Sequence, residues 1–100
     1  MFRKKKEIIR EECWNIDYSF IKWLRPRLEI YKEDASKCID LEYHKFTYKD
    51  IEYSQLELID RMIELLLFLE DNYYDISEEV VTKTYELLDL FSLTFRSLWW

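Results

Sequence analysis

The stretch SQLELIDRMIELLLFLE, residues 54–70, decides the fold. Ser54 and Glu57 stand three residues apart, the spacing of a capping box. The serine hydroxyl can accept from the Glu57 N–H while the glutamate carboxylate reaches back to the Ser54 N–H. Tyr53 and Leu58 fit the hydrophobic staple that accompanies such a box. Behind it, Leu56, Ile59, Met62, Ile63, Leu66 and Leu69 recur at helical steps, and Leu58, Leu65 and Phe68 widen the stripe. A stripe that wide predicts a helix covered on more than one side, so the chain must supply helical neighbours for it.

Both neighbours are legible. Toward the C-terminus, Asn72-Tyr73-Tyr74-Asp75 reads as a connection, with Asp75 or Ser77 as the next N-cap. Ile76 and Val81 staple that helix if Ser77 is the cap, and Glu78 and Glu79 suit the positive end of its dipole. Val81, Tyr85, Leu88, Phe91, Phe95 and Leu98 form a stripe that predicts the core face of a helix over about 78–98. Toward the N-terminus, Asp17 is the expected N-cap, with Ile16 and Ile21 as its staple. Phe20, Ile21, Leu24, Leu28 and Tyr31 then predict a helix over about 18–33. Pro26 lies within it and removes the N–H that would bond the Lys22 carbonyl, so a kink or two short helices are expected there. Residues 1–13 read as a charged helical turn or two, with Ile8 and Ile9 as an apolar pair.

Between these helices the period changes. Ile39, Leu41 and Tyr43 alternate, as do Phe46 and Tyr48, then Ile51 and Tyr53, which favours strand. Lys49-Asp50 is the candidate two-residue turn, though glycine is missing from it. The prediction is therefore a single domain over residues 1–100. It is mainly α, a compact bundle of three main helices (about 18–33, 55–70 and 78–98), with a small β-hairpin or an irregular segment at about 39–53.

Composition narrows the function. The 100 residues include no glycine, one histidine (His44) and one proline. Phosphate-cradling loops, the dinucleotide fingerprint and the nucleophile elbow all require glycine, because their backbones take positive φ or approach a ligand closely. The absence of catalytic machinery points away from an enzyme. Formal charge is −6, unevenly spread: residues 1–49 carry 12 Lys and Arg against 9 Asp and Glu, whereas residues 50–100 carry 3 against 12. An acidic half of net −9 is repelled by phosphates and attracted to a basic surface, so no direct nucleic-acid partner is expected. The run Arg3-Lys4-Lys5-Lys6 is followed by Glu7, Glu11 and Glu12, which spoils a signal sequence, and the longest apolar run, Leu65 to Leu69, is far too short to span a bilayer. Cys13 and Cys38 are too few for a disulfide framework, so free thiols and a cytoplasmic setting are expected.

Several groups of residues are candidates for function. Glu57, Asp60 and Glu64 share one helical face, and Glu79, Glu86 and Asp89 share another. These are solvated faces opposite the core, or a negative surface that docks in a partner's basic groove. Lys22, Arg25 and Arg27, with Trp23 between them, either pair with the acidic half or form an anion or nucleotide pocket with a stacking ring. Phe95, Trp99 and Trp100 close a packed helix, or project as an apolar patch suited to self-association. Cys13, Cys38 and His44 lack metal-ligand spacing and read as buried thiols and a hairpin-surface histidine, so neither metal nor cofactor is expected. Glu57-x-x-Asp60 and Glu86-x-x-Asp89 resemble half of the magnesium motif of all-helical nucleotide pyrophosphohydrolases, but the matching E-x-x-E is missing and an acidic pair at this spacing arises by chance in any acidic helix.

Trp14-x-x-Asp17, Pro26-Arg27-Leu28, Ile59-Asp60-Arg61-Met62-Ile63 and Glu70-Asp71 together resemble a group of small, uncharacterised helical accessory proteins encoded by bacteriophages and prophages. The resemblance touches about residues 14–71 and leaves out the last helix. It implies a phage accessory protein in the cytoplasm of a bacterial host and carries no catalytic residues. With the acidic half and the excess of aromatics, it leads to an expected function: a protein that binds and inhibits a host protein with a basic surface, such as a nucleic-acid-handling defence enzyme, in the manner of an anti-CRISPR. The alternatives are an oligomer that sequesters a nucleotide, and a phage structural or assembly factor.

Overall fold

The computed structural model describes residues 4–100, so Arg3 of the N-terminal basic run lies outside the described residues. In chain order the elements are α1 (Lys5–Cys13), α2 (Ile16–Ala35), β1 (Lys45–Tyr48), β2 (Ile51–Ser54), α3 (Gln55–Asn72) and α4 (Glu78–Thr94), followed by a 3₁₀ turn over Phe95–Ser97. The fold is mainly helical with a small antiparallel hairpin, as the sequence predicts.

Helix α3 is the central element, and α2 and α4 both pack on it. Its start is over-determined. Ser54 Oγ accepts from the Glu57 N–H at 3.1 Å and Glu57 Oε1 accepts from the Ser54 N–H at 2.9 Å, completing the capping box. The carbonyls of His44 and Leu41 accept from the N–H groups of Gln55 and Leu56 at 2.8 and 3.1 Å. All four N–H groups that a helix start leaves without an intrahelical partner are thereby bonded. From there α3 buries Leu58, Ile59, Met62, Leu65, Leu66 and Leu69, a spread wide enough to meet two neighbours. Helix α2 contributes Ile21, Leu24, Leu28, Tyr31 and Ala35, and α4 contributes Val80, Leu87 and Leu90. The result is broad and thin. Its extents are 44 × 36 × 19 Å and its radius of gyration is 15.3 Å, against about 13 Å for a round domain of this length.

The structure corrects four local expectations. Helix α2 begins at Ile16, so Asn15 and not Asp17 holds the N-cap position, and it makes no side-chain cap bond. Asp17 lies in the first turn, where its Oδ1 accepts from the Tyr18 N–H at 2.9 Å and its Oδ2 from the Tyr73 hydroxyl at 2.6 Å. A carboxylate there still serves the positive helix end. Secondly, Pro26 does not split the helix, which runs unbroken past it. Ile21 and Leu24 before the proline and Leu28 and Tyr31 after it are all buried in the common core, and that burial outweighs the lost backbone bond. Thirdly, residues 39–43 form turns and not strand, because the sheet has two strands and offers nothing for them to pair with. Leu41 there plugs the core, and its carbonyl caps α3.

The fourth correction concerns α4. Its buried side carries Val80, Leu87, Leu90 and Thr94, whereas Val81, Tyr85, Leu88 and Phe95 of the predicted core stripe are exposed. Ser77 is the cap, accepting from the Val80 N–H at 3.2 Å, and α4 ends at Thr94, short of the predicted 98. In the hairpin, Lys49 and Asp50 take φ of 51° and 66°. Positive φ at both central residues is the type I′ geometry that matches strand twist, adopted here without glycine.

Candidate interaction surfaces

Glu57, Asp60, Glu64 and Glu86 line one groove of about 380 Å³ between the hairpin, α3 and α4, with Tyr48, Tyr53 and Arg61. Asp89 joins its edge by accepting from the Tyr48 hydroxyl at 3.0 Å. Glu79 sits apart in the first turn of α4. Every one of these six carboxylates has a partner within the chain. Arg61 donates twice to Glu86, Nε to Oε2 at 2.6 Å and Nη2 to Oε1 at 2.9 Å, and once to Glu64 at 2.8 Å. Lys32 reaches Asp60 at 2.5 Å, and Lys83 lies 3.7 Å from Glu79. The Ser54 backbone N–H holds the Glu57 carboxyl below its ordinary value, and Arg61 does the same for Glu86. The expected segregation of charge is therefore undone locally. Packing α2 on α3 brings cations of the first half onto carboxylates of the second.

The basic cluster does not assemble as a pocket. Arg25 Nε donates to Glu70 at 2.6 Å and Arg25 Nη1 to Glu29 at 3.0 Å. Lys22 lies over the Tyr18 ring at 5.6 Å. Arg27 turns to the other side of α2, stacks over the Trp23 ring at 4.3 Å and donates to the Trp23 carbonyl at 2.8 Å. Among the described residues Arg27 has no carboxylate partner, unlike Arg25 and Arg61.

Arg27 faces an aromatic surface that bridges α2 and α4. Phe20 stacks on Trp23 with centroids 6.3 Å apart and meets Phe91 edge-on at 5.5 Å, and Phe91 in turn meets Phe95 at 5.3 Å. Trp23, Arg27, Phe91, Phe95 and Trp100 surround a cavity of about 420 Å³ on this side. The α4 side of the surface continues through Leu88 and Tyr85 to Val81, and the α2 side carries Ile16, Trp23 and Ile30, all of them exposed. Tyr85 and Phe95 are 63% and 61% exposed.

The C-terminal segment is pinned by a network the sequence reading missed. Gln55 is 1% exposed. Its Nε2 donates to the Ser97 carbonyl at 2.9 Å and to the Tyr31 hydroxyl at 3.2 Å. The Tyr31 hydroxyl lies 3.1 Å from the Ser97 carbonyl and 3.0 Å from that of Trp99. Because Gln55 Oε1 is an acceptor, the His44 Nδ1 that meets it at 3.1 Å carries the proton. The available signal was a glutamine in helical phase with Leu58, Ile59 and Met62, a polar residue on a core stripe. Trp100 packs against Tyr31 with centroids 5.6 Å apart, yet Phe95, Trp99 and Trp100 all remain exposed.

Cys13 and Cys38 are free thiols as expected, but both are exposed and not buried. Among the described residues no group of three His, Cys, Asp or Glu side chains is placed to hold a metal ion, and no helix is long and apolar enough to cross a membrane. Comparison with protein-family models, curated proteins and solved structures returned no match for this chain.

Proposed function

We propose that this chain is a binding protein that acts by covering the surface of another protein, and that its contact face is the aromatic side of α2 and α4. The observation that carries this is the phase of α4. Val81, Tyr85, Leu88 and Phe95 are exposed and not in the core, and Phe95 lines one cavity with exposed Trp23 and Trp100. Large rings on rigid helices are the usual anchors of an interface, since they bury much area at small conformational cost. The acidic flank has a secondary role. Its exposed ion pairs are each worth about 0–1 kcal/mol, so a partner's cations can replace Lys32 at Asp60 or Arg61 at Glu64 with little loss. The net charge of −6 steers approach to a basic partner.

The resemblance to phage-encoded accessory proteins supplies the biological setting. In it the partner is a host protein in the bacterial cytoplasm, and covering its surface inhibits it. A nucleic-acid-handling defence enzyme is the natural target, since a protein that binds polyanions presents a basic surface. The test expresses the chain in bacteria with an active CRISPR system and measures plating of a targeted phage. Protection of the phage by the wild type, lost with Leu88→Glu and Phe95→Glu together, supports the proposal. Equal protection by that variant, or none by the wild type across CRISPR types, refutes it.

A further inference from the structure

We infer that a second copy of this chain covers the α2–α4 face when no other partner does, with α2 of each copy laid across α4 of the other. The inference rests on the reading of that face as a contact surface and names its resting occupant.

Area is the first argument. The exposed α4 stripe, the exposed α2 stripe and Trp100 together make eight large side chains, each roughly half exposed. At ~200 Å² for a large side chain they present about 800 Å². A stable interface of standard size buries about 800 Å² per partner. The largest apolar patch on an ordinary monomer is about 300–600 Å². The thin shape of the fold agrees, because a slab 19 Å deep leaves one broad side of its helices without a covering layer.

Charge selects the orientation. A twofold axis parallel to the helices, running between α2 and α4, places α2 of one copy over α4 of its partner. Helix α4 carries Glu78, Glu79, Glu86 and Asp89 against Lys83 alone, whereas α2 carries four cations and four anions, so this arrangement keeps the two acidic helices off one another. The alternative, α2 on α2 and α4 on α4, sets the two acidic α4 helices face to face.

Sedimentation equilibrium from nanomolar to high micromolar protein tests this directly. The wild type is expected at twice 12.6 kDa. The double variant Leu88→Glu/Phe95→Glu is expected at the single mass, with an unchanged far-ultraviolet circular dichroism spectrum because both side chains are exposed. Trp23→Glu, on the α2 side of the same face, should weaken association at least tenfold. A wild type that stays at the single mass at every concentration overturns the inference, as does a double variant that still dimerises, or a Trp23→Glu variant that associates as tightly as the wild type. If the wild type is monomeric and the double variant nevertheless loses phage protection, the dimer fails and the function stands. If the wild type dimerises and the monomeric variant protects phage as well as before, the function fails and the dimer stands.

Discussion

Replacing Gln55 should loosen the C-terminal segment and lower global stability by a calculable amount. The side chain makes three hydrogen bonds, to His44, Tyr31 and the Ser97 carbonyl. Each contributes about 0.5–1.5 kcal/mol net. Gln55→Leu removes all three but fills nearly the same volume with apolar atoms. Exposed His44 rehydrates, and the Ser97 carbonyl keeps the Tyr31 hydroxyl, so no buried carbonyl is stranded. The expected cost is about 1–2 kcal/mol. Gln55→Ala adds a cavity at a fully buried position and should cost about 3 kcal/mol. For a domain of this length that is a fall of about 12–24 °C in melting temperature. Urea unfolding gives the free energies. Carboxypeptidase digestion gives the local effect, since residues 98–100 should become cleavable well below the global midpoint. If Gln55→Ala loses less than about 0.5 kcal/mol, the range of a neutral surface change, or leaves residues 98–100 as protected as before, the network is not what pins that segment.

Four further outcomes are expected. Replacing Lys49-Asp50 with Asn-Gly should raise unfolding free energy by about 1 kcal/mol, because each non-glycine residue at positive φ costs roughly 1–2 kcal/mol and the added chain entropy of glycine offsets only part of that; an unchanged denaturation midpoint would rule out strain at the turn. Burial, and then the Asp17 carboxylate it donates to, pushes the Tyr73 hydroxyl up to about 12. The folded state therefore holds its proton after the unfolded chain has released it near 10, so the contribution of Tyr73 is complete below pH 10 and is lost as pH rises toward 12; Tyr73→Phe should abolish that part of the alkaline slope and the last tyrosinate step at 295 nm. Asp17, held low by the same hydrogen bond, contributes above its ordinary 3.8 and loses that contribution as pH falls below it, so Asp17→Asn should flatten the acid limb of the same stability curve. Pro26→Ala restores an N–H to the Lys22 carbonyl and should stabilise α2 by about 1–3 kcal/mol; destabilisation would mean that the packing of α2 on α3 depends on the proline.

What could be read in advance was local, and what could not was relational. The capping box at Ser54 and Glu57 is complete within four residues, so its presence in the structure follows from the sequence alone. The Lys49-Asp50 turn is equally local. Charge pairing is not: Lys32 and Asp60 lie 28 positions apart in the sequence, and only the packing of α2 on α3 makes them neighbours. The Gln55 network needs three segments to converge, from α2, the turn before β1 and the C-terminus, and nothing in any one of them announces the others.

Helix α4 shows why pattern alone misplaces a core. It carries two apolar stripes that are one residue out of phase. Val80, Leu87 and Leu90 make the smaller one, and Val81, Tyr85, Leu88 and Phe95 the larger. Periodicity reports that a helix has an apolar side, and where there are two it favours the richer. The fold buries the poorer, because slim aliphatic side chains let α4 lie close against α3, whose facing residues are themselves Leu, Ile and Met. Bulky Tyr85 and Phe95 at that contact would hold the helices apart. A helix that is apolar on both sides is stable in water only if both are covered. The folded chain covers one, so the aromatic stripe that misleads the sequence reading is the surface on which association should be sought.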